Sequence, residues 1–459
     1  MSKRIIAVIA SLIITITAPF TAYCYDINTL DGIKSSVEGV ISYKSSTLGV
    51  NSVSKLLEAL SENAGDYNSD WYYIALSRYG VNCENTKSVN ALKKAVDEFY
   101  KEGLENVKVT DLQRTAFALL SCKADITSVN GHNLLADSTY NRDKYKPLDA
   151  QGVNSLSYAL LLLDSKNYKI PKSSSVTREK LVRRILSYEL SNGGYALFGN
   201  GADIDITSIV VQALSKYKSS PKVNKSIDTC LSILSKRQDS SGAYNSFAGK
   251  ITAESTAQVI MALSSLGINP INDSRFIKNG NTTLDGINVF RNDDGGYCHM
   301  ENYNTNSIAT YQTFCALVSV YRLLKGDGKF FDFNAKTDST TKKINSLISK
   351  KEIKNKTKSI SKSKKASILK SEKRENKLDY NSKSENKSKV NKSNLKTISK
   401  NKKENNITEP TEITRQPESV IVNKSAQKTD NKPQPAYITA GVLLIGYIFL
   451  FIVKSGGKK

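Results

Sequence analysis

Tryptophan, histidine and methionine are nearly missing from this chain: one, two and three residues among 459. Two histidines leave little material for an imidazole-rich metal centre. Nine prolines are few for the length, so long helices run without their usual breakers. Alternating apolar and polar runs are absent, which speaks against a sheet fold. Of the six cysteines, Cys24 falls in an N-terminal leader. The remaining odd number excludes a complete disulfide framework. Cys122, Cys230 and Cys315 lie on apolar helical stretches, where buried thiols are common. A Cys-Gly-Glu-Gln thioester sequence and a cell-wall sorting signal are also absent.

The folded part lacks a basic excess, although the whole chain carries a formal +23. Residues 336–432 hold 27 Lys and Arg against 11 Asp and Glu. Outside that stretch and the extreme ends, 34 bases face 32 acids. No basic face is left for a nucleic-acid partner.

Residues 1–24 read as a secretory signal peptide. Lys3 and Arg4 precede the apolar run Ile5 to Ile16, and Ala22-Tyr23-Cys24 offers a cleavage site. Residues 26–333 have globular composition. Residues 334–435 collapse to Lys, Ser, Asn, Thr, Ile and Glu, too little apolar surface to offset chain entropy, and read as a disordered basic stalk. Its charge suits anionic wall polymers or lipid headgroups. Residues 436–453 are apolar and uncharged, near the lower length limit of a membrane-spanning helix. Lys454, Lys458 and Lys459 follow, making 454–459 a cytoplasmic tail. These readings predict a body exported through the membrane and tethered by its C-terminal helix.

Within the body, an Ala-Leu pair recurs near the middle of six apolar segments, at Ala75, Ala118, Ala159, Ala213, Ala262 and Ala316. Such a period marks a repeat architecture. Each segment, such as Ile209-Val210-Val211-Gln212-Ala213-Leu214, is apolar on most faces and predicts burial nearly all round. Amphipathic segments alternate with them, as in Lys180-Leu181-Val182-Arg183-Arg184-Ile185-Leu186. The pairs span 54–63 with 70–80, 88–102 with 109–122, 130–138 with 151–164, 177–190 with 203–217, 224–237 with 253–266 and 280–291 with 305–325. Together they predict an all-α barrel of six inner and six outer helices. Alanine suits the inner ring because its small side chain lets helices approach.

The last three repeats carry glycine-aromatic turns: Asn192-Gly193-Gly194-Tyr195, Ser241-Gly242-Ala243-Tyr244 and Asp294-Gly295-Gly296-Tyr297. Gln238, before the second turn, is placed to bond to that turn or to the next helix. The second turn follows Leu234-Ser235-Lys236-Arg237-Gln238 and precedes Glu254-Ser255-Thr256-Ala257 and Ala262-Leu263. This stretch resembles the repeat of the prenyltransferase and squalene-cyclase superfamily, as a surface-anchored bacterial-type member. The resemblance is clearest over 177–325 and weaker over 54–164. It implies an α/α toroid of α6/α6 form. That fold serves enzymes and carriers alike, so it does not choose the function.

Residues test each subclass. Class II terpene cyclases of this superfamily carry Asp-x-Asp-Asp-Thr-Ala, whose middle Asp protonates an alkene. This chain has Asp203-Ile204-Asp205-Ile206-Thr207-Ser208, keeping Asp203 and Asp205 and losing the last Asp to Ile206. Capping of an inner helix is the plainer role for these carboxylates. Prenyltransferase zinc ligands have a counterpart in Asp228-Thr229-Cys230 with His299. Asp228 and Cys230, however, fall on an outer helix, so no metal is expected. His132 opens a short helix and carries no role.

The inner-helix starts and preceding loops surround one barrel mouth. They predict a ligand site of Trp71, Tyr72, Arg114, Asp203, Asp205, Tyr195, Phe198, Tyr244, Tyr297 and Tyr311, with Phe247 nearby. The leading expectation is capture of a ligand without catalysis. The ligand is small and amphipathic, corrinoid-like, isoprenoid or a protein, and no cofactor is needed beyond a corrinoid as cargo. The alternatives are a terpene cyclase or prenyltransferase using Asp205 as acid, and an adhesion head.

Overall fold

A computed structural model describes residues 26–246 and 249–349. The segments expected to be a signal peptide, a membrane-spanning helix and a stalk beyond residue 349 lie outside the described residues, as does Phe247.

Among the described residues, the helices up to residue 325 are α1 (Leu30–Thr47), α2 (Val53–Ser61), α3 (Tyr67–Arg78), α4 (Thr86–Glu102), α5 (Val109–Ser121), α6 (Leu134–Asp137), α7 (Gly152–Ser165), α8 (Arg178–Leu186), α9 (Ile204–Leu214), α10 (Pro221–Lys236), α11 (Ala253–Ser265), α12 (Thr283–Asn288) and α13 (Ser307–Lys325). All six Ala-Leu pairs fall on α3, α5, α7, α9, α11 and α13, and every one of their side chains is buried. Each of these helices packs against the next, and α13 returns to α3. Six inner helices thus close a ring, and the chain is an α/α toroid.

Local signals start these helices. Asp66, Asp203, Thr252 and Asn306 cap the first turns of α3, α9, α11 and α13, satisfying amides that lack helical partners. Two short hairpins, Tyr244–Asn245 with Ile251–Thr252 and Ile277–Lys278 with Asn281–Thr282, tie turns to helix starts.

Among the described residues the outer layer has seven helices, one more than the repeat count predicts. Helix α1 lies outside the paired segments and packs on α13. A Cβ on Gly295, in the last glycine turn, would sit 2.7 Å from the carbonyl oxygen of Gly39 on α1. Arg291 Nη1 donates to Ser36 Oγ at 3.3 Å, and Asn28 Nδ2 to Asp285 Oδ1 at 2.8 Å. The N-terminal helix therefore fills the outer position that follows α12 and closes the circle. The outer helices predicted over 130–138 and 280–291 shrink to α6 and α12, with turns filling the rest.

The folded body does not stop at Phe333, the boundary expected from composition. After α13 the chain crosses the barrel end formed by the helix C-termini. Phe333 N donates to Ser165 O at 2.8 Å, and Lys329 Nζ to Ser215 Oγ at 3.2 Å. Arg78 Nη2 holds the carbonyls of Lys329 and Asp332 at 3.2 and 2.8 Å. Buried Arg322 donates to Arg78 O, Thr337 Oγ1 and Asp327 O. Phe331 enters the ring, 4.9 Å from the Phe117 ring and 6.4 Å from Tyr158. Residues 341–349 are helical and bury Ile344 and Ile348 against the body. Asn345 Oδ1 accepts from Val53 N at 2.7 Å. Residues 327–349 form a strap whose apolar teeth composition alone conceals.

All five described cysteines are free and buried. Burial raises the Cys122 and Cys230 thiols to about 12, which keeps them unreactive.

Candidate functional site at the open barrel mouth

The inner helices run parallel, because early residues of α3, α5, α7 and α13 meet at the end opposite the strap. There a cavity of about 230 Å³ is lined by Tyr67, Trp71, Thr110, Arg114, Tyr158 and Tyr311. Trp71 lies 6.4 Å from Tyr311 at an interplanar angle of 8°, and 6.1 Å from Tyr158 at 52°. Tyr67 lies 6.0 Å from Tyr311. Tyr158 spans the barrel, meeting Trp71 in the mouth and Phe331 of the strap below. Burial raises the phenol pKa of Tyr158 and Tyr311, so both rings stay neutral.

Arg114 is held on three sides. It donates to Asp70 Oδ2 at 3.4 Å, Asp111 Oδ1 at 2.6 Å and Gly65 O at 2.5 Å. Asp70 is fully buried and also accepts from Thr115 Oγ1 at 2.7 Å and Gly65 N at 3.0 Å. Burial pushes the Asp70 pKa up to about 6, against the pull of Arg114 and Thr115. Thr110 Oγ1 accepts from Gln151 Nε2 at 3.0 Å.

A second group of charges sits at the starts of α9 and α11. Asp203 caps α9, its Oδ1 accepting from Ile206 N at 2.9 Å. This is the capping role set beside the catalytic one. Asp205 differs: its Oδ1 is covered and has no hydrogen-bond partner. Burial, then the charge of Asp203, raises its pKa to about 7, with Glu254 adding to the rise. The Ser255 hydroxyl and His299 work the other way. His299 Nδ1 lies 2.8 Å from Glu254 Oε2, and this bond raises the imidazole pKa. Deeper in the ring, Gln212 Nε2 donates to Gln258 Oε1 at 3.1 Å, and Gln258 Nε2 to Gln312 Oε1 at 2.9 Å. That chain ties α9, α11 and α13 together.

Of the expected ligand residues, Trp71, Arg114 and Tyr311 line the cavity and Asp205 lies at the same end. Tyr72 does not: it is buried, its ring 5.8 Å from Phe314 with Lys44 Nζ 4.5 Å from its centroid. Phe198 is exposed and does not line the cavity. Tyr195, Tyr244 and Tyr297 are buried beneath their glycine turns. Their amides donate to Thr207, Thr256 and Thr310 Oγ1, each at 3.0 Å. One repeated bond thus fastens turn to inner helix, and the tyrosines serve packing. Gln238 Nε2 likewise holds the carbonyls of Gly242 and Phe276 at 3.0 Å each. Replacing Tyr195 by Phe removes only the 2.9 Å contact of its hydroxyl with Ser226 Oγ. Urea unfolding should show a loss of about 1 kcal/mol, with ligand binding at the mouth unchanged.

The sequence reading missed Tyr67, Thr110 and Tyr158. Tyr158 had a visible signal, as the only aromatic ring on the otherwise aliphatic α7. Asp228 and Cys230 lie on outer helix α10, and His299 is taken by Glu254. Among the described residues no three His, Cys, Asp or Glu side chains converge as a metal site. A larger hollow of about 640 Å³ runs along the outside of α10, past Asn192, Asp228, Thr229 and Lys236. It is open surface, and no strongly perturbed or orphaned group points to it. Among the described residues no helix is long and apolar enough to cross a membrane.

No protein family's sequence pattern matches this chain, and no curated protein does. Two solved structures show a likeness of fold. One is an unsaturated glucuronyl hydrolase from Bacillus sp. GL1, responsible for the degradation of glycosaminoglycan. It has 11% identity and a TM-score of 0.41, with 67% of this chain and 100% of that chain covered. The other, whose name pairs UGL with the saccharide dGlcA-Glc-Rha-Glc, has 10% identity and a TM-score of 0.43, with the same coverage.

Proposed function

We propose that the open mouth of the toroid binds one small ligand, the size of a single ring or headgroup. The observation that supports this is the aromatic-walled cavity of about 230 Å³. Four of its six lining residues are aromatic, while Thr110 and Arg114 bring polar groups. Sites for drug-sized molecules run from about 300 Å³ upward. A corrinoid or a triterpene is therefore too large to enter, and Phe331 blocks extension through the ring.

Trp71 is the sole tryptophan of the chain, so intrinsic tryptophan emission reports on the mouth alone. The full-length protein should show a saturable emission shift with at least one member of a panel of monosaccharides, amino acids, small aromatic acids and alkylammonium salts. A flat response to the whole panel would remove the reading.

Asp205 supports a second reading, acid catalysis. A carboxyl titrating near neutrality is a competent proton donor at working pH, and groups so perturbed gather at functional sites. Loss of turnover on the bound ligand in Asp205→Asn, with binding retained, would favour this over simple capture.

A further inference from the structure

We propose that the ligand of the mouth is a quaternary alkylammonium group, caged by Tyr67, Trp71, Tyr158 and Tyr311. This rests on the reading of the mouth as a small-ligand site and names its chemistry. Four aromatic rings bordering one cavity of about 230 Å³ form the arrangement that attracts a cation through ring quadrupoles. A trimethylammonium head is apolar at its surface and makes no hydrogen bonds, so it needs what this cavity has in quantity and little else.

The competing chemistries fit less well. An anion would look to Arg114, whose charge is already matched by Asp70 and Asp111 and three of whose five N–H groups are taken by Asp70, Asp111 and Gly65. A sugar demands several converging polar partners, whereas only Thr110 and Arg114 bring polar groups other than phenols and the indole N–H to the lining, and both already carry hydrogen bonds. The local charge also favours a cation. Arg114 feels Asp66, Asp70 and Asp111 together, and Asp205 reaches Tyr158 electrostatically from the α9 side. The nearby Lys44 is drawn away onto the Tyr72 ring and the Asn68 carbonyl. His299 is matched by Glu254. One guanidinium therefore stands among four carboxyl groups, so the surroundings of the cavity favour a further positive charge.

The test is titration of Trp71 emission in the full-length protein with tetramethylammonium, choline and 3,3-dimethylbutan-1-ol, the uncharged isostere of choline. Sodium chloride at matched ionic strength is the control. Choline should bind at least tenfold more tightly than the isostere. Tyr158→Leu should weaken choline at least fivefold, while Tyr158→Phe, which keeps the ring, should bind as wild type does. Circular dichroism checks that both variants fold. Vesicles of phosphatidylcholine against phosphatidylglycerol separate the sources. Saturation by free choline assigns the soluble cation, and a response to phosphatidylcholine vesicles alone assigns the lipid headgroup. Equal affinity for choline and its isostere overturns the cation and leaves the small-ligand site standing. So does saturation by a saccharide with no response to any ammonium salt. Unchanged choline affinity in a folded Tyr158→Leu protein removes the cage. Silence of every ligand in both panels removes the site itself.

Discussion

Gly286→Ala is expected to lose about 3 kcal/mol, the upper end of the usual cost of overpacking. Gly286 lies in the middle of α12, where alanine has the better helix propensity by about 1 kcal/mol. Space reverses that preference. A Cβ at this position would lie 2.2 Å from the carbonyl carbon of Gly242 and 2.3 Å from Ala243 N. Both are backbone atoms that no rotamer change can move. The clash lies where the second glycine turn meets the next outer helix, so relief requires opening that repeat. Gly39→Ala on α1 is the contrast. Its nearest neighbour is the flexible end of Arg291, 3.4 Å away, and the helix-propensity gain should make it neutral or slightly stabilising. Urea midpoints of the two variants give the comparison. Equal midpoints would mean that the turns do not bear on the outer layer.

That pair of glycines shows what the sequence discloses and what it hides. The inner ring is legible because burial on all sides leaves an unmixed apolar pattern, and all six Ala-Leu pairs proved to be buried on consecutive inner helices. Glycine turns announce themselves through positive φ, which Gly193, Gly242 and Gly295 adopt. Helix α1 carries no repeat mark, since its place depends on a contact between Gly39 and Gly295, 256 positions apart. The strap hides for a different reason. Phe330, Phe331 and Phe333 stand just before a polar, lysine-rich stretch, and residues 334–349 bury only Ile344 and Ile348. The site splits along the same line. Trp71, Arg114 and Tyr311 follow from helix starts facing a mouth. The tyrosines of the glycine turns sit at equally suggestive positions, but their amides bond to threonines one helix turn into the next segment, which draws the rings beneath the turns.

Asp205→Asn should stabilise the protein above neutral pH, by up to an amount on the order of 4 kcal/mol from linkage. The sign follows from the direction of the shift. Folding raises this carboxyl from an ordinary value of 3.8 to about 7. Below pH 4 both folded and unfolded chains carry the proton, and the group costs nothing. Between pH 4 and 7 the unfolded chain releases the proton while the folded one keeps it, so stability falls as pH rises. Above pH 7 the folded chain holds a poorly solvated carboxylate, and the full cost persists. Asparagine never ionises, and its amide nitrogen can donate to the acidic neighbours Asp203 and Glu254. Asp70, raised to about 6 by burial, adds a slope of the same sign to both proteins and cancels in the difference. Denaturation at about pH 4, 6 and 8 should therefore show a wild-type deficit that opens through this window and then stays constant. Parallel curves for the two proteins would mean that the carboxyl titrates normally and that acid catalysis has no support. A widening gap would show that the fold tolerates a destabilising carboxylate at the start of α9, within electrostatic reach of Tyr158. A cost of this kind is characteristic of positions retained for activity over stability.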